Sequence, residues 1–182
     1  MEKLRIHTMD SAPEKSKALL ENSIKSFGSI PNLHGVLAES PNLLEAYQIL
    51  HGLFSKSSFN ADELTVVWQT INVEHECHYC VPAHSAIAKM MKVDDAITEA
   101  LRNETKLPSD KLEVLRNTTL SIVRNRGHIS QDEINTFYNT GYNQRHLLDI
   151  ILGVSQKVIS NYTNHIAKTP VDKPFESFAW TK

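Results

Sequence analysis

The 182-residue sequence predicts an all-α fold, a single helical domain. Apolar residues recur at three- and four-residue spacing almost throughout, and the alternating patterns that mark strands are hard to find. Only six glycines interrupt the chain. Glu14 to Phe27 reads as the first helix. Ser40-Pro41 supplies an N-cap followed by proline at the first helical position and opens a helix through about Lys56. Asn60 caps the next, with Glu63 at the capping-box position. Its residues Leu64, Val67, Trp68 and Ile71 form one apolar stripe. After a break near Glu76 a helix carries Ala83 to Lys92, and Asp94 caps a short helix to about Asn103. Ser109 or Asp110 starts a long helix that runs to Arg126 and stops at Gly127. Ser130 and Glu133 form a second capping box for a helix ending at Gly141. The last helix, Gln144 to about Lys168, is ended by Thr169-Pro170.

No internal repeat, low-complexity stretch or long linker divides the chain. The domain reads as an N-terminal extension, 1–39, with one helix, a core over 40–168, and an extended tail over 169–182. Phe175, Phe178 and Trp180 anchor that tail on the protein's own core or on a neighbouring subunit.

Composition sets the bounds on function. With 19 Lys+Arg against 21 Asp+Glu the formal charge is −2, and no local basic cluster is present, so nucleic-acid binding driven by bulk positive charge is excluded. No apolar run approaches the roughly 20 residues that span a bilayer, so no membrane partner is expected. The mixed-charge start Met1-Glu2-Lys3-Leu4-Arg5 lacks an apolar segment behind it, so a secretory signal is not expected. A cytoplasmic location follows, where thiols stay reduced. The two cysteines, Cys77 and Cys80, are too few for a disulfide scaffold or a four-cysteine metal site.

They sit in the run Glu74-His75-Glu76-Cys77-His78-Tyr79-Cys80-Val81-Pro82-Ala83-His84. Pro82 fits only the first turn of a helix, so that helix starts near Cys77 to Val81. Both thiols then lie at a helix N-terminus, where unpaired N–H groups and the positive dipole end favour the thiolate. At about 100° per residue, Cys77, Cys80 and His84 fall on one stripe. His84 is placed to take the Cys80 proton or to stabilise its thiolate, and the two sulfurs can close into a disulfide. An attacking thiolate, a resolving partner and an imidazole make a redox centre.

Other readings stay open. The cysteines could be buried and structural, or could hold zinc with His84 and a fourth ligand such as His75 or Glu76. The zinc reading lacks a second Cys or His pair at finger spacing. A thioredoxin-type dithiol needs a βαβ pattern, which is absent. His75 and His78 flank the motif as exposed side chains or as gatekeepers. Trp68 and Tyr79 read as core or as walls of a small pocket, and Met90-Met91 carries no cofactor signal. Asn161, Asn164 and His165 serve interhelical hydrogen bonds or contribute polarity near the centre.

The run Cys77-x-x-Cys80-x-x-x-His84, the amphipathic helix before it, and Asn161-Tyr162-Thr163-Asn164-His165 resemble the alkyl hydroperoxidase D-like and carboxymuconolactone decarboxylase family, over roughly Ser40 to the end. The resemblance implies an all-α bundle of the alkyl hydroperoxidase D-like type, assembled into trimers or hexamers. It also implies peroxidase (peroxiredoxin-type antioxidant) or disulfide-reductase activity in members that keep both cysteines. Peroxidase members carry a glutamate relay residue in the preceding helix, where this sequence has Thr65. Glu63 lies two positions earlier, about 200° around the helix. Glu63, Glu74 and Glu76 are the candidates for a rearranged proton relay, each with a simpler role as cap or solvated carboxylate.

The expectation is a cysteine-dependent peroxidase or thiol–disulfide oxidoreductase acting on a small hydroperoxide through Cys77, Cys80 and His84, with an external dithiol as reductant. It requires no metal, flavin or haem. Proximity to His84 favours Cys80 as the attacking sulfur, whereas the outer position at the helix start favours Cys77. The alternatives are a lactone-decarboxylase-like lyase or isomerase on a small carboxylated compound, and a non-enzymatic assembly that senses oxidation or holds zinc.

Overall fold

The computed structural model describes residues 4–182; the first part of the mixed-charge start, residues 1–3, lies outside the described residues. Nine α-helices follow in order among the described residues: α1 (Glu14–Phe27), α2 (Asn32–Leu37), α3 (Pro41–Phe54), α4 (Ala61–Glu74), α5 (Cys80–Met90), α6 (Asp95–Arg102), α7 (Asp110–Arg124), α8 (Gln131–Asn139) and α9 (Gln144–Ala167). A 3₁₀ helix, Lys173–Phe178, closes the chain, and no strand occurs among the described residues. None of these helices is long and apolar enough to cross a membrane.

Capping follows the sequence closely. Asn60 accepts the Glu63 N–H while Glu63 reaches back to the Asn60 N–H, and Ser130 and Glu133 repeat the device on α8. Asp94 accepts from the Ala96 N–H. Two expectations need correction. Residues 4–39 hold two helices, because the six-residue α2 is too short to show a period. The tail is not wholly extended: Asp172 and Pro174 start the 3₁₀ turn.

The centre of the bundle is α4. Every residue from Glu63 to Val73 is buried, so this helix is covered on all sides. It packs against α5, α6, α7 and α9, and Phe54, Val66, Val67, Ile71, Leu115, Phe137 and Ile150 fill the main core. A second apolar cluster lies where α1, α2 and α3 cover the start of α5. It contains Leu20, Leu33, Leu37, Leu44 and Tyr47 together with Cys77 and Cys80. The dithiol therefore sits in the seam between the N-terminal helices and the rest of the bundle.

The approach of α9 to that seam is set by Gly153. A Cβ at this position would lie 2.8 Å from Phe54 Cε2 and 3.1 Å from Val67 Cγ1, both in packed core side chains. The missing side chain lets α9 seat against α3 and α4, and it brings the polar residues one to three turns further along α9 to the dithiol. Gly153→Ala is expected to destabilise the fold by about 1–3 kcal/mol through overpacking; an unchanged urea midpoint for this variant would show that the helices can separate freely.

Candidate active site

The turn that carries the motif begins with the C-terminus of α4. Glu76 adopts φ 51, its N–H bonds the Val73 carbonyl, and the Cys77 N–H bonds the Asn72 carbonyl at 2.9 Å. This is a Schellman-type helix end, with glutamate holding the left-handed position usually given to glycine. The chain then turns straight into α5. The Val81 N–H bonds the Cys77 carbonyl, and the Cys80 N–H donates to Cys77 Sγ at 3.3 Å, as a donor would to an N-cap side chain. Pro82 falls in the first turn of α5, where no N–H is needed.

Both thiols are free and buried, and the two cysteines approach to 3.1 Å. Cys80 lines a cavity of about 390 Å³ together with His84, and Cys77 lies behind it with no exposed surface. From α9, Asn164 Nδ2 donates to Cys80 Sγ at 3.2 Å. A buried polar ladder fixes the surrounding backbone. Asn161 donates to Asn72, Asn72 donates to Gln69 and to the Cys80 carbonyl, and Gln69 donates to the Val81 carbonyl and Ser85.

Lys157 is the residue the sequence did not single out. It is fully buried on α9, and its Nζ lies 3.0 Å from His84 Nε2. Burial pulls the ammonium below its ordinary value, while the two sulfurs pull it back up. For Cys80 burial works against the thiolate. The hydrogen bond with Cys77, the Lys157 charge and the Asn164 amide more than offset it and hold the thiol down at about 5. Cys77 moves the other way, raised by that same hydrogen bond and by burial. One sulfur thus favours the anion and its neighbour keeps the proton.

His84 stands one turn beyond Cys80, tilted against Trp68 at 4.9 Å between ring centroids. Burial and then the Lys157 charge push its pKa well below the ordinary imidazole value, so the ring is neutral. Trp68 is core, with its N–H bonded to Gln156, but its ring also supports His84 and stacks on His51. Tyr79 walls the cavity, and its hydroxyl bonds Asp172 of the tail while accepting the Leu33 N–H.

The three candidate relay carboxylates are held elsewhere. Glu63 closes its capping box and pairs with Lys111 at 3.1 Å; Glu74 forms a bidentate pair with Arg124; exposed Glu76 faces Lys182. Thr65 turns its hydroxyl back to the Ala61 carbonyl. His75 bonds Asn161, and His78 donates to the Thr169 carbonyl, so both tie the motif to α9 and the tail. His165 donates to the His75 carbonyl. Among the described residues no group of three or more His, Cys, Asp or Glu is arranged to hold a metal ion. The tail docks on this same chain: Arg102 donates to the Phe178 and Ala179 carbonyls, and Trp180 donates to the Arg102 carbonyl.

Two neutral histidines line the cavity beside this centre. Burial lowers both His34 and His51 to about 4. An unfolded chain would bind those protons from about 6.5 downward, so their contribution is complete above pH 6.5 and is lost as the pH falls toward 4. The urea midpoint of the native protein is expected to drop over that window, and that of His51→Phe, which keeps the stack on Trp68, is expected to drop less. Equal drops in the two would remove His51 from this account.

No protein-family model and no curated protein matches this sequence. Solved structures do match in shape. An alkylhydroperoxidase AhpD-core, peroxidase-related protein from Ralstonia eutropha JMP134 superimposes with a TM-score of 0.84 at 15% identity, covering 96% of each chain. A peroxidase-related protein from Silicibacter sp. TM1040 gives 0.79 at 17% identity, covering 96% of this chain and 95% of the other. The debrominase Bmp8, as a cysteine-to-alanine variant in complex with 2,3,4-tribromopyrrole, gives 0.75 at 13% identity, covering 97% and 95%. Matching over nearly the whole length in this way, the chain has the all-helical alkylhydroperoxidase AhpD-like fold.

Proposed function

We infer that this protein is a cysteine-dependent peroxidase that reduces organic hydroperoxides through the Cys77–Cys80 dithiol. The observation that carries the reading is the placement of the sulfurs: Cys80 is on the cavity wall with its thiol held down, and Cys77 is 3.1 Å behind it with its proton retained. Cys80 thiolate attacks the terminal peroxide oxygen, the O–O bond breaks, and the alcohol leaves after gaining a proton. The resulting sulfenic acid condenses with the Cys77 thiol to a disulfide, releasing water. An external dithiol, available in a reducing compartment such as the cytoplasm, returns two electrons and two protons.

Cavity size and lining support an organic substrate. About 390 Å³ holds a ring or short chain, and the walls from Phe27, Leu33, Tyr47 and Phe175 are apolar or aromatic. The same walls favour a second reading, reductive dehalogenation of a small aromatic ring. Replacing a ring halogen by hydrogen consumes two electrons, which the dithiol would supply. The reading also includes self-association into a trimer or hexamer, supported by exposed Ile49 and Leu53 on α3 and Leu148, Ile151 and Ile166 on α9. A monomer by light scattering at micromolar concentration would remove that part.

Incubation of the reduced protein with cumene hydroperoxide or hydrogen peroxide tests the chemistry, following peroxide and free thiols. The expected outcome is faster consumption of cumene hydroperoxide, background rates for Cys80→Ser, and a single turnover for Cys77→Ser. If Cys80→Ser consumes peroxide as well as the native chain, the cysteine mechanism is wrong. Bromide release from 2,3,4-tribromopyrrole with a dithiol present, without peroxide consumption, would favour the second reading.

A further inference from the structure

Among the described residues Lys157 is the only lysine or arginine that is buried, and no carboxylate pairs with it. A lone ammonium in a protein interior opposes folding, and methionine at the same place would avoid that cost. The titratable groups around it are Cys77, Cys80 and His84 from the motif turn and α5, and His51 and Tyr47 from α3. At the edges stand His34 on α2 and His75 at the end of α4, the latter held by Asn161. His34, His51, His84 and Tyr47 are neutral partners. The Cys80 sulfur is the anion within its field.

The ammonium has only donors, so His84 Nε2 accepts from it and the ring proton sits on Nδ1. That Nδ1 is buried and has no hydrogen-bond partner, on a side chain that lines the cavity. A donor left open beside an attacking sulfur is where the oxygen of a reacting molecule would be received.

We propose that Lys157 is the counter-ion of the reactive sulfur and the proton source of the reduction, holding Cys80 as the thiolate at rest and passing its proton through His84 to the departing alkoxide. The first half stands on the buried arrangement alone; the second rests on the peroxidase reading. In the step, the Cys80 sulfur bonds the terminal oxygen and is oxidised by two electrons. The O–O bond breaks and the peroxide is reduced. The alkoxide takes the Nδ1 proton, and Nε2 takes one from Lys157, which is left as the neutral amine. When Cys77 closes the disulfide, its own proton leaves with water. The buried interior thus passes from an ammonium–thiolate pair to an amine and a disulfide, and it carries no net charge in either state. Reduction by the external dithiol returns two protons, one to Cys77 and one to Lys157. Lys157 acts on the substrate through other groups, which makes it a positioning residue.

The test is the pH dependence of Cys80 alkylation by iodoacetamide, read by peptide mass spectrometry, in the native dithiol protein and in Lys157→Met and Lys157→Gln. Thermal melting of each confirms the fold, and Gln keeps a hydrogen bond to His84 without the charge. The native rate is expected to be level at pH 7. In either folded variant its half-point is expected to move up by at least about one pH unit, a reaction roughly twofold slower at pH 6 and roughly tenfold slower below the native half-point. An unchanged profile in either folded variant overturns the proposal. Cumene hydroperoxide consumption is followed in parallel. A shifted profile with no peroxide consumed by the native chain retains the counter-ion and discards the peroxidase reading and its proton delivery. Peroxide consumed by the native chain and as fast, at every pH, by Lys157→Gln discards the proton delivery.

Discussion

A lysine ammonium can remain charged inside a protein only where an anion stands in for the carboxylate that usually accompanies it. At the centre of this bundle the available anion is a cysteine sulfur, and the arrangement around it serves that pairing. The N-terminus of α5 presents its amide groups and positive dipole end to the motif, Asn164 donates to Cys80, and Cys77 shares its proton without giving it up. His34, His51 and His84 are all depressed in pKa, so near neutral pH none adds a second positive charge beside Lys157. Remove the negative sulfur and the cation is a liability; remove the cation and burial returns the thiol to its protonated form.

Such a pair tolerates little movement, and the scaffold supplies the stiffness. Gly153 lets α9 sit against α3 and α4, which sets the depth of Lys157, Asn161 and Asn164. The end of α4 is closed by Glu76 in a left-handed conformation that a non-glycine residue adopts at a cost of about 1 kcal/mol. The tight turn places Cys77 directly on the Asn72 carbonyl. Gln69 and Asn72 then satisfy backbone carbonyls at the start of α5, and Asn161 donates to the Asn72 side chain. A half-satisfied network in this position would cost more than an apolar core, whereas a connected one holds a single geometry. The main core under α4 carries the stability, and the second cluster holds the reactive turn.

The helices were legible in the sequence because their signals are local: Asn60 with Glu63, Ser130 with Glu133, Asp94, and the periodic apolar stripes. The dithiol and His84 were legible for the same reason, being three and four residues apart. What stayed hidden depended on contacts across the fold. α2 is too short to show periodicity, and Glu76 and Lys92 fill helix-ending positions where glycine would have announced the stop. Lys157 is separated from His84 by 73 positions and reads alone as a surface lysine. A signal was present, since Ile150, Gly153, Lys157, Asn161 and Asn164 recur at three- and four-residue spacing and mark one buried stripe on α9. Polar residues on such a stripe are the expected form of a site built into a core. The carboxylates each have a partner that the sequence did not point to beyond the Asn60 cap: Lys111 for Glu63, Arg124 for Glu74, and Lys182 for Glu76.

The division of labour between segments follows from where the cavity lies. One wall comes from α5 and α9, as Cys80, His84 and Lys157. Its opposite walls come from the two ends, with Phe27, Leu33 and His34 from the N-terminal helices and Phe175 from the tail. The ends are fastened to one another through Asp172, which accepts from the Asn32 N–H and from the Tyr79 hydroxyl, and through Asn32, which donates to the Pro170 carbonyl. Tyr79 stands between the two cysteines, so the clasp that shapes the cavity is anchored on the turn that carries the dithiol. Substitutions in the N-terminal helices or the 3₁₀ turn can therefore reshape the cavity while leaving the sulfur, imidazole and ammonium in place. Changes on the buried stripe of α9 act on the sulfur itself.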